Sequence, residues 1–262
     1  MRQRLLQGLV APLILIGFFA IWEVYVRAFA VSRFILPPPT RIIAALIDLL
    51  HQPTILRHTA ITIEETLGGF LVATVLGVGL GALLGKVPWL ERALNPLIVA
   101  SQVVPKVALV PLFILWFGFG ITSKVVIAAV LASFPILTNT VLGVKSVERG
   151  HHAVMDSLRV NGWQRFRELE LPSALPYILT GMEVGIVLST IGAVVGEYLG
   201  GSDGLGAMAV TTLNALQVDT LFAVILLLTL IGLTLYLLIA GLRRLIVPWH
   251  DSVRSRQPGP GT

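Results

Sequence analysis

Several short motifs in this chain of 262 residues match patterns that perform chemistry in other proteins. Gly200-Gly201-Ser202-Asp203-Gly204 fits G-x-S-x-G, the turn that presents a serine nucleophile in many hydrolases. That turn works between a strand and a helix, with an acid and then a histidine later in the chain. Here a helix-length apolar stretch precedes the motif, and His250 is the only later histidine. The sequence therefore disfavours a hydrolase that uses Ser202.

Two glycine-rich motifs resemble nucleotide sites. Gly77 to Ala82 fits the dinucleotide fingerprint G-x-G-x-x-G/A, and Gly81 to Lys86 resembles a phosphate loop that is one residue short. Both lie inside an apolar stretch rather than between a strand and a helix, and Val87 replaces the Ser or Thr that would hold magnesium. Because Gly77, Gly81 and Gly85 recur every four residues, we predict a flat helix face for close packing instead.

The sequence gives little support for a metal site or for a reactive thiol. The chain has no cysteine, which excludes disulfides, thiolate ligands and a cysteine nucleophile. His151 and His152 are adjacent, so on a helix they point about 100° apart and are poorly placed to share a metal. We predict no catalytic residue, no metal site and no directly bound cofactor.

Charged residues inside apolar stretches are stronger candidates, because an unpaired charge in lipid is costly and such residues face a bundle interior or water. Lys106, Glu183 and Glu197 are of this kind. Glu183 could be an interface residue, and Glu197 could either contact substrate or cap the glycine-rich turn that follows it. Lys106 could line a pathway or form a purely structural pair. The residues predicted for a translocation pathway are Gln102, Lys106, Asn139 and Glu197.

The elements that would position these residues are membrane-spanning helices. The chain is 55% hydrophobic and only 13% charged, whereas soluble domains carry roughly a quarter charged residues. About 20 apolar residues are needed to cross a bilayer as a helix. Six stretches qualify, at about residues 9–28, 67–85, 94–117, 121–144, 174–198 and 221–242. We predict an all-α membrane protein, a single transmembrane domain over residues 1–262.

Basic residues orient these six spans. Thirteen of the 19 Lys and Arg fall on one side of the membrane if connections alternate: Arg2, Arg4, Lys86, Arg92, Lys145, Arg149, Arg159, Arg165, Arg167, Arg243, Arg244, Arg254 and Arg256. Five fall on the other side: Arg27, Arg33, Arg41, Arg57 and Lys124. Cytoplasmic connections are enriched in Lys and Arg, so both termini are predicted to be cytoplasmic. The uneven distribution of Lys and Arg then sets the topology, and the net charge of +5 does not indicate nucleic-acid binding.

The connections carry three further predictions. Leu36 to Pro39 should stop the first helix, and Thr40 should cap a new external helix with apolar residues at helical spacing. Pro105 and Pro111 flank Lys106 and should break or kink the third span. The stretch Gly200 to Gly206 should form a compact external turn, and the tail Gln257 to Thr262 should be disordered.

The long cytoplasmic connection, residues 145–173, contains much of the charge of the chain. Within it, residues 154–172 read as a helix, a break at Gly162, a second short helix and a stop at Pro172. We call residues 154–172 the knob. Its apolar members are Val154, Leu158, Trp163, Phe166 and Leu169. With no soluble domain in the chain to cover them, these side chains indicate a protein partner.

The knob resembles the EAA loop of permease subunits from ATP-binding cassette (ABC) importers. Asp156-Ser157-Leu158 occupies the E-A-A positions, Gly162 the glycine, and Leu171-Pro172 the closing pair. The acid is shortened and both alanines are replaced. Other segments resemble the nitrate, sulfonate and taurine branch of that family: Leu36 to Pro39, Pro105 to Leu112, Trp116 to Gly120, and Gly204 to Gly206.

The resemblance implies a type I ABC importer-like fold in a multi-pass bacterial-type inner (cytoplasmic) membrane. It also implies partners: ABC ATPase subunits that use ATP and magnesium, a second permease copy (a homodimer), an extracytoplasmic substrate-binding protein and the lipid bilayer. The chain itself would not be an enzyme. Asp156 would favour a helix start and engage the ATPase, and Gly162 would permit the turn between helices. The ATPase-coupling residues implied are Asp156, Ser157, Leu158, Gly162, Trp163, Phe166, Leu171 and Pro172.

The solute implied by this branch is small and anionic, like a sulfonate, taurine or nitrate, and a pyrimidine or flavin precursor is the alternative. A second hypothesis, from another class, is a self-sufficient secondary transporter or channel driven through intramembrane charges. Against it, the six spans show no inverted repeat and few ionisable groups.

Overall fold

The computed structural model of the protein describes residues 2–248, without the side chains of residues 2–9, 11 and 149. The predicted disordered tail, Gln257 to Thr262, lies outside the described residues, as does His250. Among the described residues, all regular secondary structure is helical. Its α-helices are α1 (Arg2–Ala28), α2 (Pro39–Leu50), α3 (Ile55–Lys86), α4 (Pro88–Val103), α5 (Val110–Phe117), α6 (Ile121–Lys145), α7 (Arg149–Ser157), α8 (Gly162–Arg165), α9 (Leu171–Gly200), α10 (Leu205–Asn214) and α11 (Val218–Ile246).

Four helical stretches are long and apolar enough to cross a membrane: α3, α6, α11 and the run Gly162–Gly200 that contains α9. A fifth candidate is the bent pair of α4 with residues Lys106–Phe117. These agree with the predicted spans 67–85, 121–144, 221–242, 174–198 and 94–117. The first predicted span, residues 9–28, lies within α1, which is helical but is not among these candidates.

Helices α3, α6 and α9 form the centre of the molecule, and we call them the trio. Phe70 and Ala73 of α3 pack with Ala132 and Ile136 of α6 and with Ile186 of α9 in one buried cluster. These apolar side chains alone do not explain how close the helices come. Small residues on the facing surfaces allow that approach.

The predicted glycine face of α3 is confirmed. A Cβ at Gly77 would lie 2.8 Å from Ile136 Cβ, one at Gly81 2.6 Å from Thr140 Cβ, and one at Gly85 2.7 Å from Val144 Cβ. All three contacts are with α6. The motif that resembles a dinucleotide fingerprint is therefore a packing surface, as its position in an apolar stretch indicated.

The predicted break around Lys106 is also confirmed. α4 ends at Val103, a single 3₁₀ turn covers Lys106–Leu109, and α5 begins at Val110, with 82° between the two arms. Pro105 and Pro111 lack the N–H groups that would continue the helix. The stretch 94–117 is therefore two helices at a sharp angle rather than one straight span, and the first arm begins earlier, at Pro88.

A second apolar cluster lies between α2, the start of α3, α10 and α11. Its buried members are Leu49, Ile55, Leu205, Ala209, Ala223 and Val224. The predicted helix after Leu36-Pro39 is thus present as α2, but Thr40 does not cap it. Pro38 occupies the cap position, and the backbone N–H and hydroxyl of Thr40 both donate to the Glu23 carboxylate, at 3.1 and 2.8 Å.

The irregular turn within the glycine-rich stretch Gly200 to Gly206 is shorter than predicted. α9 continues to Gly200, and α10 already begins at Leu205, so the turn itself spans Gly201 to Gly204. Gly204 has φ +99°, a value that favours glycine. The helix α10 was not predicted from the sequence. It is only ten residues long, and the glycine-rich residues at its start favour a turn.

Candidate functional site

The knob lies where α6 ends and α9 begins, at one end of the trio. Its first helix, α7, ends at Ser157, whose hydroxyl donates to the Val154 carbonyl at 2.7 Å. Val154, Leu158 and Trp163 are 56%, 66% and 67% exposed. Three large apolar side chains on one short segment form a surface that fits a protein partner.

The joint between α7 and α8 is held by side chains. Asn161 caps α8 by accepting from the Gln164 N–H at 2.9 Å, and Gln164 Oε1 accepts from the Asn161 N–H at 3.0 Å. Arg165 of α8 pairs with Asp156 of α7. Reciprocal capping of this kind fixes the direction in which a helix starts. The two short helices are therefore joined as one unit.

Two details of the predicted joint between the knob helices are wrong. Asp156 lies in the last turn of α7, so it does not favour a helix start and instead pairs with Arg165 across the joint. Gly162 begins α8 rather than breaking the chain. The left-handed residue in the turn is Arg159, with φ +51°.

Pro172 does not end the second helix. One π turn, Phe166–Glu170, leads from α8 into α9, so the helical run continues from Gly162 to Gly200. Leu171 begins α9, and Pro172 sits in its first turn, where proline is tolerated. The closing pair thus marks the entry to the central helix, and the knob is continuous with it.

The base of the knob is fixed to α3. Glu170 pairs with Lys86 at 2.6 Å, and the Lys86 ammonium also lies 4.7 Å from the centre of the Phe166 ring. The Trp163 and Phe166 rings lie 5.7 Å apart. Phe166 is half-buried, so the knob has a fixed base and an exposed tip.

The opposite end of the trio contains a buried ionic group of three residues, of which the sequence indicated only Glu197. Lys124 Nζ of α6 lies 3.1 Å from Glu65 Oε1 of α3, and their side chains are 6% and 1% exposed. Glu197 of α9 is fully buried beside them. Glu65 was missed because the predicted span began at residue 67, and Lys124 because it was assigned to an external connection. In fact α3 begins at Ile55, and Lys124 lies in the first turn of α6.

Glu197 holds the turn into α10. Its carboxylate accepts from the Gly206 N–H at 2.6 Å and from the Thr62 hydroxyl at 2.6 Å. Thr62 Oγ1 in turn accepts from the Leu205 N–H at 2.9 Å. A Cβ at Gly204 would lie 2.1 Å from Glu197 Oε1, so the turn closes directly over the carboxylate. Of the two roles open to Glu197, these contacts favour capping the turn.

The other predicted pathway residues are scattered. Lys106 is half-buried, with its ammonium 4.2 Å from the centre of the Phe134 ring. Asn139 lies on α6, where its side chain donates to the Pro135 carbonyl at 2.8 Å. Gln102 is exposed on α4. The structure does not gather these side chains with Glu197 into one site within a single chain.

Glu183 is more than an interface residue. It is 7% exposed on α9 and lies 3.1 Å from Arg243 of α11, whose guanidinium also donates to Thr180 at 3.1 Å. This pair joins α11 to the trio near the knob end.

Long apolar helices around a glycine-packed centre, with an exposed two-helix knob, define a helical integral membrane protein. The chain belongs to the family described as "Binding-protein-dependent transport system inner membrane component", which residues 73–251 match. It is a permease subunit of an ABC importer, a class in which a separate subunit hydrolyses ATP.

Relatives in this family transport different solutes. The chain is 39% identical to the riboflavin transport system permease protein RibX of Chloroflexus aurantiacus, over 92% of this chain and 90% of the relative. It is 35% identical to the formylaminopyrimidine transport permease protein ThiX of Halalkalibacterium halodurans, over 95% and 98%. It is 32% identical to the putative aliphatic sulfonates transport permease protein SsuC of Bacillus subtilis, over 94% and 88%.

The fold is similar to that of a chain in the inward-facing MetNI methionine ABC transporter. The TM-score is 0.63 at 17% identity, over 74% of this chain and 98% of that chain. The predicted type I importer-like architecture is supported at the level of fold.

Proposed function

We propose that this chain forms the translocation pathway of an ATP-driven importer and that the knob is the surface that an ATPase subunit engages. The observation that carries the proposal is the exposed apolar tip of the knob, Val154, Leu158 and Trp163, on a base fixed to α3. The closing of two ATPase subunits around bound ATP would move two such knobs and thereby change which side the pathway opens to.

Continuity of the helix supports this coupling. Because the run from Gly162 to Gly200 is helical throughout, a force on α8 reaches α9 without a flexible linker. The Asp156–Arg165 pair and the Asn161 cap would keep α7 moving with α8. In this role Asp156 acts inside the knob, and its contact with the ATPase is indirect.

Gly162 offers a clean test. A Cβ at this position meets nothing within 4 Å, so Gly162→Trp adds bulk at the tip from a Cβ that has open space around it. We expect Gly162→Trp and Trp163→Asp to lose co-purification with the ATPase subunit and to lower ATP-dependent uptake at least tenfold, with membrane insertion unchanged.

Leu56→Asp is the matched control, since Leu56 is 78% exposed but lies in the first turn of α3, at the end of that helix away from the knob. It should keep the ATPase bound. If both knob variants retain the ATPase at wild-type levels, the knob is not the docking surface. If uptake continues in the absence of the ATPase, a self-sufficient secondary transporter is the correct class.

We propose six spans, with α1 as the first, and cytoplasmic termini. The knob then lies in the cytoplasm and the turn at Gly201 to Gly204 outside, where a substrate-binding protein would deliver the solute. A second copy of the chain completes the pathway in this proposal. α4 contains no buried residue in the described chain, and Leu97, Val99 and Val103 are 64%, 53% and 80% exposed, which suits a helix that meets another copy. The mass of the purified particle distinguishes one copy from two.

For the solute, we place a flavin or pyrimidine precursor ahead of a sulfonate-, taurine- or nitrate-like anion. The relatives that transport riboflavin and formylaminopyrimidine share more identity with this chain than the sulfonate relative does. Lys106 beside Phe134 combines a cation with an aromatic face, which suits either class. Uptake of labelled riboflavin or labelled taurine by the assembled importer decides between the classes.

A further inference from the structure

The buried ionic group at the outer end of the trio has unequal numbers of opposite charges. Glu65 and Glu197 contribute two carboxyls, while Lys124 contributes one ammonium, and all three residues are at most 5% exposed. Burying an uncompensated charge in a low-dielectric interior is costly, and the usual remedy is a change of protonation. The group is neutral if it holds one additional proton.

Neighbouring groups do not supply the missing positive charge. Arg57 pairs with Asp203 at 2.9 Å, so these two cancel. His58 Nδ1 accepts from the Gly204 N–H at 3.0 Å, which requires that nitrogen to be unprotonated and the ring to be neutral. Glu64, the next acid on α3, is exposed. Within the described part of the chain, the charge balance therefore depends on Glu65, Lys124 and Glu197.

The two carboxyls also contact each other. Glu65 and Glu197 are within hydrogen-bonding reach, and Glu65 Oε2 meets no N–H or O–H donor among the described residues. Two ionised carboxylates cannot hydrogen-bond, because neither has a hydrogen to donate. A proton on one of them creates the bond and satisfies the unpartnered oxygen at the same time.

The hydrogen bonds of each carboxyl indicate which one carries the proton. Glu197 already accepts from Thr62 and from the Gly206 N–H, and both donors favour its ionised form. Glu65 uses Oε1 to accept from Lys124, and its Oε2 is free to carry a hydrogen. We propose that Glu65 and Glu197 form a buried proton-binding site, in which Glu65 holds the proton on Oε2 and donates it to ionised Glu197.

The proton would have a structural consequence at the external turn. Glu197 could stay ionised and accept from Thr62 and Gly206 only because Glu65 presents a donor and not a second negative charge. The site therefore connects the protonation of Glu65 on α3 with the position of the Gly201 to Gly204 turn and the start of α10. The inference does not depend on the solute or on the ATPase.

Infrared spectroscopy of the purified protein in lipid at neutral pH tests the assignment. We expect a C=O stretching band of a protonated carboxylic acid, and we expect Glu65→Gln to remove it. Gln is the matched replacement, because its amide can donate to Glu197 and accept from Lys124 as the protonated acid does. Glu183→Gln is the control: Glu183 pairs with Arg243 and lies outside this ionic group, so the band should remain.

Uptake by the assembled importer provides a second readout. Glu65→Gln should retain uptake within about twofold of wild type, while Glu197→Gln should lower it at least tenfold. An amide has one oxygen in place of the two that accept from Thr62 and from the Gly206 N–H, and it has no negative charge to balance Lys124. Absence of an acid band in the wild-type protein overturns the proposal, whether or not the variants fold. A band that persists in Glu65→Gln, or equal damage by the two substitutions, overturns the assignment of the proton to Glu65.

Discussion

At the scale of single residues, glycine determines how closely α3 approaches α6. A Cβ essentially never comes within 3.0 Å of a non-bonded heavy atom. A Cβ at Gly81 would lie 2.6 Å from Thr140 Cβ and 2.8 Å from the Leu137 carbonyl oxygen. Gly79 is two residues away on the same helix and meets nothing within 4 Å. The two positions therefore separate the packing role of glycine from its general effect on a helix.

We expect Gly81→Ala to lower the free energy of unfolding by about 1–3 kcal/mol, the usual cost of overpacking a tight contact. Gly79→Ala should instead be neutral or stabilise the helix by up to about 1 kcal/mol, because alanine is the better helix former. Thermal unfolding in mild detergent measures both. Equal effects of the two variants would contradict a packing role for Gly81.

The role of a residue was predictable from the sequence where that role depended on local spacing. The four-residue repeat of Gly77, Gly81 and Gly85 predicts a packing face that the structure contains. The partners of buried charges were not predictable, because Glu65, Lys124 and Glu197 are far apart in the sequence and meet only through the packing of three helices.

At the scale of helices, five of the six predicted spans agree with candidate spans of the structure, but their ends were predicted poorly. Hydropathy identifies the part of a helix that meets lipid, but α3 begins twelve residues before the predicted span, at Ile55. Those residues include Thr62 and Glu65, which face protein rather than lipid. A hydropathy window therefore excluded the polar end of the helix.

The knob shows why element boundaries can differ from motif boundaries. Gly162 and Pro172 are residues that commonly end helices, but Gly162 begins the helical run that ends at Gly200, and Pro172 lies within that run, in the first turn of α9. The turn between α7 and α8 depends on Asn161 and Arg159, which the sequence motif does not mark. The two-helix structure of the knob was predicted at the correct segment with an incorrect internal geometry.

The pair Glu183–Arg243 makes a prediction about how α11 is attached to α9. Their side chains are 9% and 19% exposed, so removing one partner leaves the other buried without compensation. We expect Arg243→Met to destabilise the protein by about 3–5 kcal/mol. Adding Glu183→Gln should recover most of that loss, which the midpoint of thermal unfolding can report. If the double variant is no more stable than Arg243→Met, the pair does not act as a unit.

At the scale of the whole molecule, topology is open to a direct test because the chain has no cysteine. Ser157 and Ser202 are exposed and lie at opposite ends of the run that contains α9. With six spans and cytoplasmic termini, Ser202→Cys should react with a membrane-impermeant thiol reagent in intact cells. Ser157→Cys and Gln3→Cys should react only after the membrane is opened.

This set of variants also checks the number of spans. Labelling of Gln3→Cys in intact cells while Ser157→Cys stays protected would require an odd number of spans between these residues, whereas the six-span topology puts four there. Labelling of Ser157→Cys in intact cells would reverse the whole orientation and put the knob out of reach of a cytoplasmic ATPase.

The glycines of the trio have a mechanical consequence. Besides the α3 contacts, a Cβ at Gly181 would lie 2.9 Å from Asn139 Cβ, one at Gly185 2.8 Å from Ile136 Cδ1, and one at Gly192 2.6 Å from Ala128 Cα, so α9 is closely apposed to α6 along much of its length. Helices in such close contact cannot slide past one another without collision. We therefore expect α3, α6 and α9 to swing as one rigid body when the pathway changes sides, with the 82° elbow between α4 and α5 as the joint that flexes.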